Sequence, residues 1–373
     1  MTGRPLSDKI ARRIRAEGAL TMAAYMAMAL HDPDDGYYAR RHPIGAAGDF
    51  ITAPEISQVF GELIGLWCAD LWQRAGRPDP LVLIELGPGR GTLMADLLRA
   101  AAVVPAFRAA LRVHLVEASA PLRAEQRRRL GEAEAVWVER LDEVPPGPML
   151  IVANEFFDAL PVRQFVRGAD GWAERLVGLG RDGRLALVES RSVGAHLLIP
   201  PPVRDAPAGA VVEISPPALA LIAAIAQRLR EATGALLLID YGRSPQPAAA
   251  SLRAMRAHRP ADLLEAPGSA DLTADVDFDS LAEIALAAGA AVYGPENQGD
   301  FLRALGAEAR LARLLAGAST VAQRARLEGG VRRLIDAAGM GTLFKAMAVT
   351  SPGFPAPEGF VWREAVGKRD DHA

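Results

Sequence analysis

The chain has 373 residues, 50% apolar and 23% charged, an ordinary globular composition that suits one large α/β domain with insertions or two domains. A net charge of −3 removes any electrostatic case for nucleic acid as the main partner. Cys68 is the only cysteine, which excludes intrachain disulfides and cysteine-cluster metal sites, and the six scattered histidines lack any metal-ligand spacing.

The first stretch, MTGRPLSDKIARRIRAEGAL, is Arg-rich and reads as a first helix or as a transit segment. Asp8, Glu17 and the dominance of arginine over lysine throughout favour the helix, and with it a bacterial cytoplasmic protein; a mitochondrial one follows only from the transit reading. No apolar run reaches the roughly 18 residues that span a bilayer, so no membrane insertion is expected. Helical patterns cover 6–30 and 54–75, around a Gly/Pro/Asp-rich loop that ends in GDFITAP.

From Pro80 strands and helices alternate: strands 81–87, 112–119, 135–141 and 149–155, with helices 92–101 and 121–131 between them. That alternation predicts a parallel, doubly wound sheet. Residues 162–166, 171–180 and 184–190 alternate polar and apolar, so 162–210 reads as a β-rich insertion. A helix opened by Ser215-Pro216-Pro217 leads to a strand at 235–242, then a Pro/Asp-rich loop over 243–278. Helix 279–289, strand 290–294, helices within 299–337 and a strand at 342–350 complete the pattern, and 353–373 reads as a tail.

The turn after the first strand, ELGPGRG, carries Gly87, Gly89 and Gly91 in a G-x-G-x-G spacing that lets a ligand approach the backbone. Pro88 and the spacing speak against a dinucleotide pyrophosphate loop. Glu85, two residues earlier, suits a cationic amino group, and Glu117 closes the second strand where a carboxylate can accept both hydroxyls of a ribose. Together these describe a nucleoside with an amino-acid tail, S-adenosylmethionine. Asp142 is either the partner of the adenine amino group or an exposed loop acid.

The fourth strand, MLIVA, delivers Asn154, Glu155 and Asp158 to the carboxyl end of the sheet, where ligands of such folds bind. These polar groups suit a methyl acceptor such as arginine, whose planar cation pairs with carboxylates. Glu155 is the first candidate for that role, with Asp158 and Glu213 behind it. Asn154 and Asp158 could instead cap a helix, and Glu213 could be an exposed charge at a strand end.

GDFITAPEISQVFGE (48–62), ELGPGRGTLMADLLR (85–99), ANEFFDALPVRQF (153–165), LLIDYG (237–242), PGSADLTADVDF (267–278) and MGTLFK (340–345) together resemble the MidA-type methyltransferases, relatives of the mitochondrial complex I assembly factor 7. The resemblance covers nearly the whole chain. It implies a class I, Rossmann-like α/β fold with a seven-stranded, mostly parallel sheet whose last strand is antiparallel. It further implies an N-terminal helical segment (1–78), a core built from 79–161, 211–242 and 279–352, and an inserted substrate lobe. The family is described as S-adenosylmethionine-dependent, its mitochondrial members as symmetrically dimethylating an arginine of a complex I core subunit. The implied partner is therefore a protein substrate presenting an arginine side chain.

Carried onto this chain, the resemblance puts Gly48, Asp49, Phe50, Thr52 and Glu55 near the cofactor, with Thr52 also able to cap a helix. It puts Glu85, the three glycines and Glu117 around S-adenosylmethionine, and Asn154, Glu155 and Asp158 between cofactor and acceptor. Asp271 and Asp277 fall on the acceptor side, although a capped helix start also explains Asp277 and Asp279. The segment RSPQPAAASLRAMRAHRP after IDYG departs from the glycine-rich family pattern and leaves His258 as a substrate contact or a surface histidine. A small-molecule methyltransferase and a non-catalytic assembly protein that keeps the cofactor as a structural ligand are the competing readings.

Overall fold

The computed structural model describes residues 5–40, 51–131, 135–191, 195–245, 248–360 and 362–363. The chain divides into two compact units, one formed by 52–156, 221–244 and 278–373, the other by 1–51, 157–220 and 245–277.

In the first unit the apolar runs become buried strands. Leu81–Leu86 (β1), Leu111–Val116 (β2), Val136–Val138 (β3), Met149–Asn154 (β4), Gly234–Arg243 (β5), Ala291–Asn297 (β6) and Phe344–Thr350 (β7) lie side by side in the order β3-β2-β1-β4-β5-β7-β6. β3 to β5 are mutually parallel, and β7 runs antiparallel to both β5 and β6. This is the mostly parallel class I methyltransferase sheet that the alternation and the resemblance imply, but it holds nine strands where seven were expected, among them a two-residue strand, Trp362–Arg363, beside β6. Every residue of β1 and β4 is buried, as expected of strands covered on both faces.

Helices Gln58–Arg74 and Thr92–Ala101 cover one face, packing Phe60, Leu63, Trp67 and Leu97 against Leu83, Val152 and Ile239 in a single core. Each such side chain contributes about 1.5–3 kcal/mol through burial. The helical pattern expected over 54–75 breaks in two, because Ser57 adopts an extended backbone and caps the longer helix at Val59 N–H. Among the described residues no helix is long and apolar enough to cross a membrane.

The second unit has an antiparallel sheet ordered Leu20–Thr21, Gly171–Leu179, Arg163–Gly168, Val211–Ile214, with Leu185–Arg191 also paired to Gly171–Leu179. The single helix expected over 6–30 is two, Leu6–Glu17 and Met22–His31, parted where Gly18 takes a positive φ and Thr21 caps Ala24 N–H. The stretch expected as loop over 243–278 forms a small sheet from Arg253–Arg256, Arg259–Ala261 and Asp271–Thr273. Strands of three or four residues are too short to show a period in sequence.

Candidate functional site

β1 delivers Glu85 and then turns through Gly87, Gly89 and Gly91, at φ of 61°, 55° and 76°. At Gly87 a Cβ would lie 2.5 Å from the Phe156 ring, so both the backbone conformation and the space admit only glycine. Glu85 is 3% exposed, and its Oε2 has no hydrogen-bond partner among the described residues. Burial, reinforced by the charge of Glu117, pushes its carboxyl up to about 8.

Arg90 inside the loop pairs with Glu125 at 2.6 Å and Glu55 at 3.4 Å, and the Thr92 hydroxyl donates to Glu55. Glu55 therefore ties the short helix Ala53–Ile56 to the glycine loop. Thr52 precedes that helix, but its side chain accepts no capping bond. The N–H of Ala53 goes to Glu155 Oε1 at 2.8 Å instead.

The second strand ends sooner than its sequence suggests, because Glu117 turns its carboxylate onto Ser119 N–H at 2.8 Å and Ser119 caps the next helix, Ala120–Leu130. Glu117 Oε2 accepts from the Gln126 amide at 3.2 Å. Burial raises the Glu117 carboxyl above its ordinary value, opposed by these bonds. Gln126 escaped the sequence reading. It is wholly buried, donates also to Gly89 O at 2.7 Å, and accepts from Trp137 Nε1 at 2.9 Å. The signal was there: Leu122 and Gln126, one turn apart, are the buried residues of an otherwise charged helix.

At the end of β4, Asn154 Oδ1 is buried with no partner among the described residues while its Nδ2 donates to Glu155 Oε1 at 3.1 Å. Glu155 takes φ +50°, an uncommon backbone for a residue with a Cβ, and such outliers cluster at functional sites. Two bonds to β5 hold it there: Glu155 N–H to Ile239 O at 2.9 Å, and Phe156 N–H to the buried Asp240 carboxylate at 3.1 Å. A turn follows, not a helix, so neither Asn154 nor Asp158 is a helix cap.

Gly48, Asp49 and Phe50 fall outside the described residues. Asp142 is exposed and holds Arg140 through two bonds of 3.0 and 2.6 Å. Glu213 sits in the second unit, 7% exposed, so it is no exposed strand-end charge. Its carboxylate accepts from Gln164 at 2.6 Å, from the Ser251 and Leu252 N–H groups at 2.9 and 3.0 Å, and from the Ser251 hydroxyl. Four donors fill both of its oxygens, which makes it a clamp between Val211–Ile214 and the segment at 251. Asp158 and Asp271 are buried in the same unit, where the Tyr38 hydroxyl donates to Asp271 at 3.2 Å. Burial and these two carboxylates hold the Tyr38 hydroxyl well above its ordinary pKa. His258 occupies an exposed turn at φ +60°, and Asp279 accepts from the Ser244 hydroxyl at 2.8 Å near the start of helix Phe278–Ala287.

The model of the Methyltransf_28 family, S-adenosyl-L-methionine-dependent methyltransferases, matches residues 63–296. The chain belongs to this family. The methyltransferase is 38% identical to the mitochondrial protein arginine methyltransferase NDUFAF7 of Xenopus tropicalis over 90% of this chain and 84% of that protein. It is 34% identical to the Homo sapiens protein of the same name, over 92% of this chain and 83% of that one. A COG1565 superfamily member from Burkholderia thailandensis, solved bound to S-adenosyl-homocysteine, superposes with a TM-score of 0.82 at 29% identity, covering 95% of this chain and 93% of that one. The enzyme is an S-adenosylmethionine-dependent methyltransferase.

Proposed function

We propose that this methyltransferase modifies a guanidinium nitrogen of an arginine in a protein substrate, and that its cofactor is held by Glu85, the glycine loop, Glu117 and Asn154. The residues present fit such a cofactor. Glu85 Oε2 and Asn154 Oδ1, on the adjacent strands β1 and β4, are buried acceptors without partners among the described residues, a cost that a bound ammonium group would remove. Gly87 leaves the backbone bare, and Glu117 keeps acceptor capacity beyond its two bonds for a ribose. When bound, S-adenosylmethionine supplies a methyl carbon on a sulfonium; transfer to nitrogen breaks the carbon–sulfur bond, leaves the electron pair on sulfur as S-adenosylhomocysteine, and releases the nitrogen's proton.

The chain's own work is positioning and electrostatics. Glu155, fixed by its positive φ and its bond from Ala53, offers a carboxylate at the end of β4 to orient a guanidinium and take its proton. One observation carries the arginine assignment: the curated relatives, 34–38% identical over at least 90% of the chain, bear the name protein arginine methyltransferase. The resemblance to the complex I assembly factor directs the search for the substrate first to a respiratory complex I-type subunit.

The test is product analysis. Purified enzyme, labelled S-adenosylmethionine and matched peptides with arginine, lysine or histidine at one position are incubated and hydrolysed. Methylarginine from the arginine set alone is expected. Methyllysine, or no product from folded enzyme that binds S-adenosylhomocysteine, would overturn the assignment.

A further inference from the structure

Gln126 is wholly buried, and its amide is engaged at three points. An indole N–H can only donate, so the side of the amide that faces Trp137 must be its oxygen. That fixes the orientation, because a flipped amide would set N–H against N–H. Both amide hydrogens then point the other way, one to Gly89 O at 2.7 Å and one to Glu117 Oε2 at 3.2 Å. Trp137 is itself restrained on β3, with the Arg127 guanidinium 4.7 Å from its ring centroid. The stem of Gln126 also backs the loop, lying 3.4 Å from where a Gly91 Cβ would be.

We infer that Gln126, oriented by Trp137, is a positioning residue that aims the Glu117 carboxylate at the ribose hydroxyls of the cofactor and locks it to the glycine loop. This rests on the cofactor site proposed above. Glu117 Oε1 is taken in part by Ser119 N–H and Oε2 in part by Gln126, which leaves acceptor directions on both oxygens. Without Gln126 the carboxylate loses its side-chain donor, keeping the backbone N–H of Ser119, and the loop carbonyl loses its donor. The amide thus couples ribose recognition to the loop, although it lies 37 residues from Gly89 in sequence.

Isothermal titration with S-adenosylhomocysteine and its 2′-deoxyribose analogue tests the inference on wild type, Gln126→Leu, Gln126→Glu and Trp137→Phe. In Gln126→Leu the affinity for S-adenosylhomocysteine should fall about tenfold and that for the analogue about twofold, collapsing the preference for the full ribose. Gln126→Glu should do the same or more, since a carboxylate cannot donate to Gly89 or Glu117. Trp137→Phe, which keeps a ring on β3 and removes only the orienting N–H, should lower the preference about twofold to threefold, and it carries the test if the Gln126 variants do not fold. An equal fall for both ligands would reduce Gln126 to packing and overturn the inference, as would an unchanged preference. Failure of the wild type to bind S-adenosylhomocysteine would overturn the cofactor site itself, a result separate from either of these.

Discussion

Two buried glutamates show how differently the same residue type can be used. Glu85 is the penultimate residue of a strand of the methyltransferase core, and Glu213 lies in a strand of the β-rich unit; they are 3% and 7% exposed. Glu213 receives four donors and is satisfied by the protein alone. Glu85 has an oxygen with no donor among the described residues, and burial drives its carboxyl to about 8. Burial by itself therefore marks neither as functional. What separates them is unmet bonding capacity, and only Glu85 has bonding left for a ligand.

Breaking the clamp should give the largest effect. Glu213→Ala strands buried N–H groups at Ser251 and Leu252 and the Gln164 amide, at a cost on the order of 3–5 kcal/mol in urea unfolding. A variant of wild-type stability that has lost methyl transfer would reverse the comparison and return Glu213 to a catalytic role.

The glycine loop comes next. Gly87→Ala forces a Cβ against Phe156 at a φ of 61°, and S-adenosylhomocysteine affinity should fall at least about 100-fold by titration, with a smaller loss of stability. Near-native binding would mean that the loop does not form the cofactor's seat.

Glu85 itself is read through pH. Its folded value of about 8 lies above the ordinary 4.5, so its contribution to the stability of the ligand-free protein is fully present below 4.5 and is lost as pH rises to about 8. Melting curves should show Glu85→Gln close to wild type at pH 4.5 and more stable at pH 8, by a few kcal/mol at most, since a tenfold change in proton affinity is worth about 1.4 kcal/mol. Cofactor binding to the wild type near pH 7 should release protons, seen as a dependence of the binding heat on the buffer, and the release should vanish in Glu85→Gln. A pH-independent difference between the two proteins would show Glu85 already ionised and satisfied.

The smallest effect belongs to Asp142, exposed and held by Arg140. Asp142→Ala should change S-adenosylhomocysteine affinity by no more than about twofold, since exposed ion pairs are worth little. A tenfold loss would restore the carboxylate to the adenine.

The core was legible because its signals are local. A buried strand is an unbroken apolar run, a glycine turn is three letters, and the carboxylates that flank it stand two residues before and 26 after. The short strands within 253–273 were not legible, because three or four residues carry no period. Nor were the partners of the site residues. Ala53 reaches Glu155 across 102 positions, Phe156 reaches Asp240 across 84, and Gln126 reaches Gly89 across 37. Thr52 illustrates the error this causes: its sequence context marks a helix cap, yet a carboxylate from the end of β4 takes the N–H of Ala53 at the start of that helix.

By itself the sequence determined the sheet, the glycine loop and which acids stand at strand ends, since strand period, turn chemistry and residue type act over a few neighbours. Only the tertiary structure decided which of those acids is already satisfied and which still has bonding to offer. Hydrogen-bond donors are recruited through space, and a carboxylate's pKa follows its burial and its partners rather than its neighbours in the chain.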